Sequence, residues 1–194
     1  MMLRNNTLEI VPGSVLDVAE KNDLSLAMAF LEVEYTVLID TSGSMSDRDM
    51  RNGKTRYEVA IEELKTLQAQ NQGKILVINF SDSANVCIGG IPAFLGGMTN
   101  LTDALKLALE YDDTDMTHVV ISDGYPDSPT SALEAAKEFK GAIHTVFIGP
   151  ENDRQGREFM AQLASIKHGK AVTTKSNLLA KNVQELLLLK SNNN

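Results

Sequence analysis

The sequence predicts an α/β fold: a doubly wound, mainly parallel sheet with one antiparallel edge strand and helices on both faces. Three observations lead there. From Tyr35 onward, short β-branched runs alternate with amphipathic helical patterns, as in βαβ units feeding a parallel sheet. Those runs are apolar almost throughout rather than at every second residue, which is how strands covered on both faces read. One further run, at residues 83–88, follows its predecessor with no room for a helix between them, so it pairs antiparallel through a tight turn and forms an edge.

In chain order, residues 14–20 and 24–31 carry helical patterns interrupted by Asn22 and Asp23. Residues 1–34 are therefore expected to be an N-terminal helical segment packed on, or extending from, a domain spanning 35–190. The core strands are TVLI at 36–39, ILVI at 75–78, HVVI at 118–121 and HTVFI at 144–148. Between them, Tyr57, Ala60, Ile61, Leu64 and Leu67 mark one buried helical stripe, and Leu101, Ala104, Leu105 and Ala108 another. Later stripes run through Ala132, Ala135, Ala136 and Phe139, then Phe159, Met160 and Leu163, and finally Leu179, Val183, Leu186 and Leu187. The closing SNNN at 191–194 reads as a frayed tail.

The chain has 194 residues, 43% of them hydrophobic, enough for one domain with a sizeable core. Eighteen basic residues stand against 26 acidic ones, a formal charge of −8. Such a surface repels phosphate, so nucleic acid and anionic membranes are not expected partners. The one cysteine, Cys87, has no intrachain partner, which suits a reducing, cytoplasmic location. The opening MMLRNNTLEIV lacks the apolar stretch of an export signal, and the apolar run at 24–33 is broken by Glu32. No export or membrane-spanning segment is expected.

The chemistry concentrates where the first core strand ends. Asp40, Ser42 and Ser44 stand at alternate positions there; residues i, i+2 and i+4 of an extended segment face one side, so three oxygens can converge on one ion. Asp123 occupies the corresponding position after the strand at 118–121. In the common doubly wound order these two strands are neighbours, and their carboxyl ends flank the crevice where open sheets build sites. Gly96 and Gly97 lead to Thr99, whose hydroxyl can approach the same crevice. A set of oxygens without Cys or His suits a hard cation, and a small set completed by water suits Mg²⁺, with Mn²⁺ or Ca²⁺ as substitutes.

Asp40-x-Ser42-x-Ser44, a glycine-led Thr99 and Asp123-Gly124 resemble the metal-ion-dependent adhesion site (MIDAS) of von Willebrand factor A (vWA) domains. The resemblance covers about residues 35–187, and implies a Rossmann-like sheet of six strands with one antiparallel edge. It further implies that Ser42 and Ser44 bind the ion directly, Thr99 in some states, and Asp40 and Asp123 largely through water. Met98 and Ser122 depart from the residues usual in that family, glycine and threonine, without removing a ligand. Small stand-alone prokaryotic or phage members, of the tellurite-resistance (TerY-like) type, resemble adaptors that work beside AAA-type ATPases or in stress responses.

Blander readings compete at several of these positions. Thr99 could be a helix N-cap with Thr102 as the rival hydroxyl, and Asp123-Gly124 a plain turn. Gly53-Lys54-Thr55 resembles the end of a phosphate-binding loop, but Arg48 stands where its first glycine belongs, which rejects nucleotide binding. Asp112, Asp113 and Asp115 read as a solvated loop, and His118, His144 and His168 as structural. The leading function is a non-enzymatic module that binds an Asp or Glu of a protein partner through the held cation. The alternative is a magnesium-dependent phosphohydrolase using Asp40, although Ser42 stands where such enzymes carry their second Asp. A third reading is a scaffold whose site is filled by an intramolecular ligand and serves stability alone.

Overall fold

A computed structural model describes residues 10–50, 53–150, 152–173 and 179–188. The first nine residues of the N-terminal segment and the 191–194 tail lie outside them. Six strands, β1 (Tyr35–Asp40), β2 (Ile75–Phe80), β3 (Ala84–Val86), β4 (Thr117–Ser122), β5 (Ala142–Phe147) and β6 (Ala171–Thr173), form one sheet in the order β3-β2-β1-β4-β5-β6. Every neighbouring pair is parallel except β2 with β3. The doubly wound order and the antiparallel edge expected from the sequence are both present. β6 carries no apolar run that the sequence reading could register.

Strand alternation sorts the core into two layers. Val37 and Ile39 face one side with Val77, Val119 and Val146; there they meet helices α3 (Arg56–Gln70) and α7 (Leu179–Leu188) through Leu64, Leu67, Val183 and Leu187. Leu38, Ile78, Val120 and Phe147 face the other side, against α4 (Leu101–Leu109), α5 (Pro129–Lys137) and α6 (Arg154–Ile166). Each fully buried Leu, Ile or Phe here contributes about 2–3 kcal/mol of transfer free energy, and together they fix which residues end each strand at the crevice.

Two short helices, α1 (Val15–Lys21) and α2 (Leu26–Phe30), precede β1 and pack on each other through Val15, Ala19 and Ala29. Ser14 and Ser25 cap them by accepting from Asp17 N and Met28 N. The break between them falls where the sequence puts it, with Asp23 in the left-handed region at φ 53°. Backbone bonds Val11 N to Gly89 O, Leu16 N to Ile88 O and Gly73 N to Gly13 O tie this segment beside the strand starts, away from the crevice.

The histidines lie at the same end. His118 is buried between Thr36 (Nδ1 to Oγ1, 2.7 Å) and Asp112 (Nε2 to Oδ1, 2.8 Å), and burial holds its pKa below the usual histidine value. Asp112 is not a solvated loop acid: it also accepts from the backbone of Lys140 and Gly141, whereas Asp113 and Asp115 are exposed. Thr55, the end of the GKT triplet, is the N-cap of α3 in a capping box with Glu58. Among the described residues no helix is long and apolar enough to cross a membrane.

Candidate metal centre

β1 and β4 lie side by side and end together, so Asp40 and Asp123 flank one crevice despite their separation in sequence. Asp40 is fully buried and both its oxygens are engaged: Oδ1 accepts from Ser42 N at 2.9 Å and Oδ2 from Ser122 Oγ at 2.7 Å. Burial, and then the negative charge of Asp123, push the Asp40 carboxyl up to about 6 against the pull of those bonds. Past Asp40 the chain enters a 3₁₀ turn at Gly43–Ser46, which leaves the Ser42 and Ser44 hydroxyls 3.3 Å apart. Ser42 is 1% exposed and Ser44 partly buried.

The loop before α4 is stitched onto this turn by Gly43 N to Gly97 O and Gly96 N to Thr41 O, at 3.0 and 2.9 Å. Gly97 has φ +80°, where a side chain is strained, and a Cβ there would also displace the Asp82 carboxylate, 2.7 Å away. The next residue but one is Thr99, whose N–H donates to Asp127 Oδ1 and whose carbonyl accepts from Asp127 N, both at 3.0 Å. The N-cap of α4 is Asn100, not Thr99, so the Thr99 hydroxyl is not committed to capping.

Asp123, like Gln68 among the described residues, leaves a buried side-chain oxygen without a hydrogen bond. Its Oδ2 is paired with Arg56 Nη1 at 2.8 Å, while its Oδ1 is shut off from solvent without any hydrogen bond. A buried carboxylate oxygen with no donor is costly, and the missing contact is what a cation between Asp123 and the serine hydroxyls would provide. Two carboxylates and three hydroxyls make a hard, oxygen-only set, so the residues fit a divalent ion of the Mg²⁺ type. Among the described residues no group of three or more His, Cys, Asp or Glu is placed to hold a metal ion; the set here has only two carboxylates.

Sequence reasoning noted Ser122 only as a departure from the usual threonine and missed Arg56. Ser122 holds Asp40 and also accepts from Gly124 N at 3.1 Å, so it supplies the hydroxyl a threonine would. Arg56, with a side chain 8% exposed, is gripped by Asp49 as well as Asp123, with Asp47 at 3.4 Å. A cation in the first turn of a helix opposes the helix dipole, and that anomaly is the signal that could have pointed to a buried acid facing it.

No protein-family model and no curated protein sequence matches the chain. Solved structures do. BatB from Bacteroides thetaiotaomicron is 18% identical with a TM-score of 0.63, over 82% of this chain and 98% of that one. A von Willebrand factor type A protein from Catenulispora acidiphila is 15% identical at 0.62, over 80% and 42%. The manganese-loaded TRAP protein of Plasmodium vivax is 14% identical at 0.57, over 80% and 73%. The chain has the fold of von Willebrand factor A domains.

Proposed function

We propose that the chain is a metal-dependent protein-interaction module, holding Mg²⁺, or Mn²⁺ or Ca²⁺ in its place, at Asp40, Ser42, Ser44, Thr99 and Asp123. The observation that carries this is the buried, unpartnered Oδ1 of Asp123 beside a second buried acid and a pair of serine hydroxyls. That TRAP is manganese-loaded on the same fold supports it. When bound, the ion would supply an electrophilic position for an Asp or Glu of a protein partner.

The chain's own residues prepare that position. Ser122 and the Ser42 N–H fix Asp40; Arg56 turns one oxygen of Asp123 away and leaves the other for the ion. Asp127 anchors the backbone of Thr99. An adaptor role beside an AAA-type ATPase, or in a tellurite-resistance, stress or phage system, belongs to the same proposal and rests on resemblance alone. The phosphohydrolase reading is disfavoured because Asp40, its nucleophile, is fully buried with both oxygens occupied by hydrogen bonds.

Calorimetric titration of chelator-treated protein with Mg²⁺ and Mn²⁺ tests the reading. Wild type should bind one ion, and S42A/S44A should lose it while keeping its circular dichroism spectrum. Absence of binding by folded wild type would sink the proposal. Magnesium-dependent cleavage of a generic phosphate ester that disappears in D40N would replace it with the enzymatic one.

A further inference from the structure

Among the described residues, eight large apolar side chains are exposed, and they fall into two groups. Four belong to residues 10–31, at the end of the domain away from the crevice. The other four are Phe94 (42% exposed), Leu95 (50%), Met98 (61%) and Tyr125 (44%). All four come from the two loops that carry Thr99 and Asp123. Those loops are joined to each other by the paired bonds between Thr99 and Asp127.

These side chains are displayed by fixed backbone. Phe94 packs edge-on against Tyr57 with ring centroids 5.3 Å apart, and the Tyr57 hydroxyl donates to Pro92 O at 2.7 Å. Met98 N donates to Asp82 at 2.8 Å, and the Tyr125 hydroxyl to Asp153 at 2.7 Å. Apolar groups gathered at one mouth of a domain, on braced loops, mark an interaction surface rather than scattered surface residues. The groups that brace them are acids: Asp82, Asp127 and Asp153. The carboxylates among these bracing groups disfavour further acids on a partner, whereas a bound cation would attract one.

We propose that this rim is an apolar collar selecting a partner segment of one chemistry: a single Asp or Glu with apolar side chains within about three residues on either side, a reach of roughly 10 Å, and no second acid. The proposal rests on the metal-centre reading above and adds the specificity that an ion alone lacks, since an ion alone accepts any carboxylate. Charge complementarity decides against a poly-acidic partner: with −8 on the chain and aspartates on the rim, each further acid costs affinity.

The test is a random-peptide display library panned on the immobilised protein in Mg²⁺ and eluted with EDTA. Peptides made from the enriched sequences are then measured by fluorescence anisotropy. The expected peptides hold one acid flanked by aromatic or aliphatic residues, and changing the flanks to serine or adding a second acid weakens them tenfold or more. L95S/M98S should weaken the parent peptide by a similar factor while binding Mg²⁺ as wild type does. Failure of wild type to bind Mg²⁺ or Mn²⁺ sinks the metal reading and the collar with it. Metal binding with peptides that show no apolar preference, with no enriched peptides, or with full affinity for L95S/M98S overturns the collar alone. Concentration-dependent dimerisation in sedimentation, abolished by L95S/M98S, would assign the surface to a second copy of the chain and overturn the proposal too.

Discussion

Replacing Arg56 with Gln separates the two things that residue does. Its Nη1 lies 2.8 Å from Asp123 Oδ2, with the two side chains 8% and 0% exposed. Breaking such a pair by removing one partner strands a buried charge, at a cost of about 3 kcal/mol to the metal-free protein. The effect on metal binding has the opposite sign. A cation coordinated through the other oxygen of that carboxylate would sit roughly 6 Å from the guanidinium, and at an effective dielectric of about 20 a single and a double charge at that distance repel by about 5 kcal/mol. Movement of Asp47 and Asp49, which are partly open to solvent, offsets part of this. If half survives, R56Q binds Mg²⁺ on the order of tenfold to a hundredfold more tightly. The assays are calorimetry on chelator-treated protein and thermal unfolding with and without Mg²⁺. R56Q should melt below wild type in EDTA and recover more of its stability when Mg²⁺ is added. Unchanged or weaker binding by folded R56Q would refute the reasoning and make Arg56 a device that only orients Asp123.

D40N should stabilise the metal-free protein at neutral pH by about 3 kcal/mol, because the carboxyl sits at about 6 in the fold against its ordinary 3.8. This raised acid weakens the wild-type fold as pH climbs from about 4 to 6, and urea unfolding across that window in EDTA should show the slope vanish in D40N. His144 acts in the other direction: burial, followed by the Lys170 and His118 charges, lowers it from 6.5 to about 4, and its Nδ1 accepts from Lys170 N. Its contribution, about 3 kcal/mol, is complete above 6.5 and is lost as pH falls towards 4, so H144Q in the D40N background should flatten the acid limb of the unfolding curve. G124A should cost several kcal/mol, read as a fall in unfolding midpoint, since φ is +83° and a Cβ would fall 2.3 Å from Gly156 O.

The parts of this fold that are legible in the sequence are those where burial writes a pattern. β1, β2, β4 and β5 are buried along nearly their whole length and read as apolar runs; β3 is recognisable from the lack of a crossover before it. β6 has three residues, two of them exposed, and leaves no such trace. Asp40, Ser42, Ser44 and Asp123 are singled out because strand ends fix their positions; the structure sets the Ser42 and Ser44 hydroxyls side by side and places Asp123 just past the strand that neighbours the one ending in Asp40. What stayed hidden is long-range electrostatics. The Arg56 to Asp123 bond spans 67 positions and the Asp112 bond to Lys140 spans 28; neither follows a periodicity. That Asn100 rather than Thr99 caps α4 is a matter of one residue of offset, which propensity cannot resolve, since Asn and Thr both cap well.

On the proposed reading, the buried charges explain why a partner's carboxylate completes the centre. Asp40 and Asp123 bring two negative charges and Arg56 one positive charge into the same shielded region. Asp49 grips the far side of the guanidinium at 29% exposure, where solvent and salt screen it. Counting Asp40, Asp123 and Arg56 alone, the set is negative by one; a divalent cation would make it positive by one, and a single incoming carboxylate would neutralise it. Had the site carried a third acid in place of Ser42 or Ser44, the ion would be neutralised internally and held too well to need a partner. On that reading the serine hydroxyls and the Arg56 pairing would act in one direction: both would keep a bound ion short of negative charge and leave a place for a partner's carboxylate.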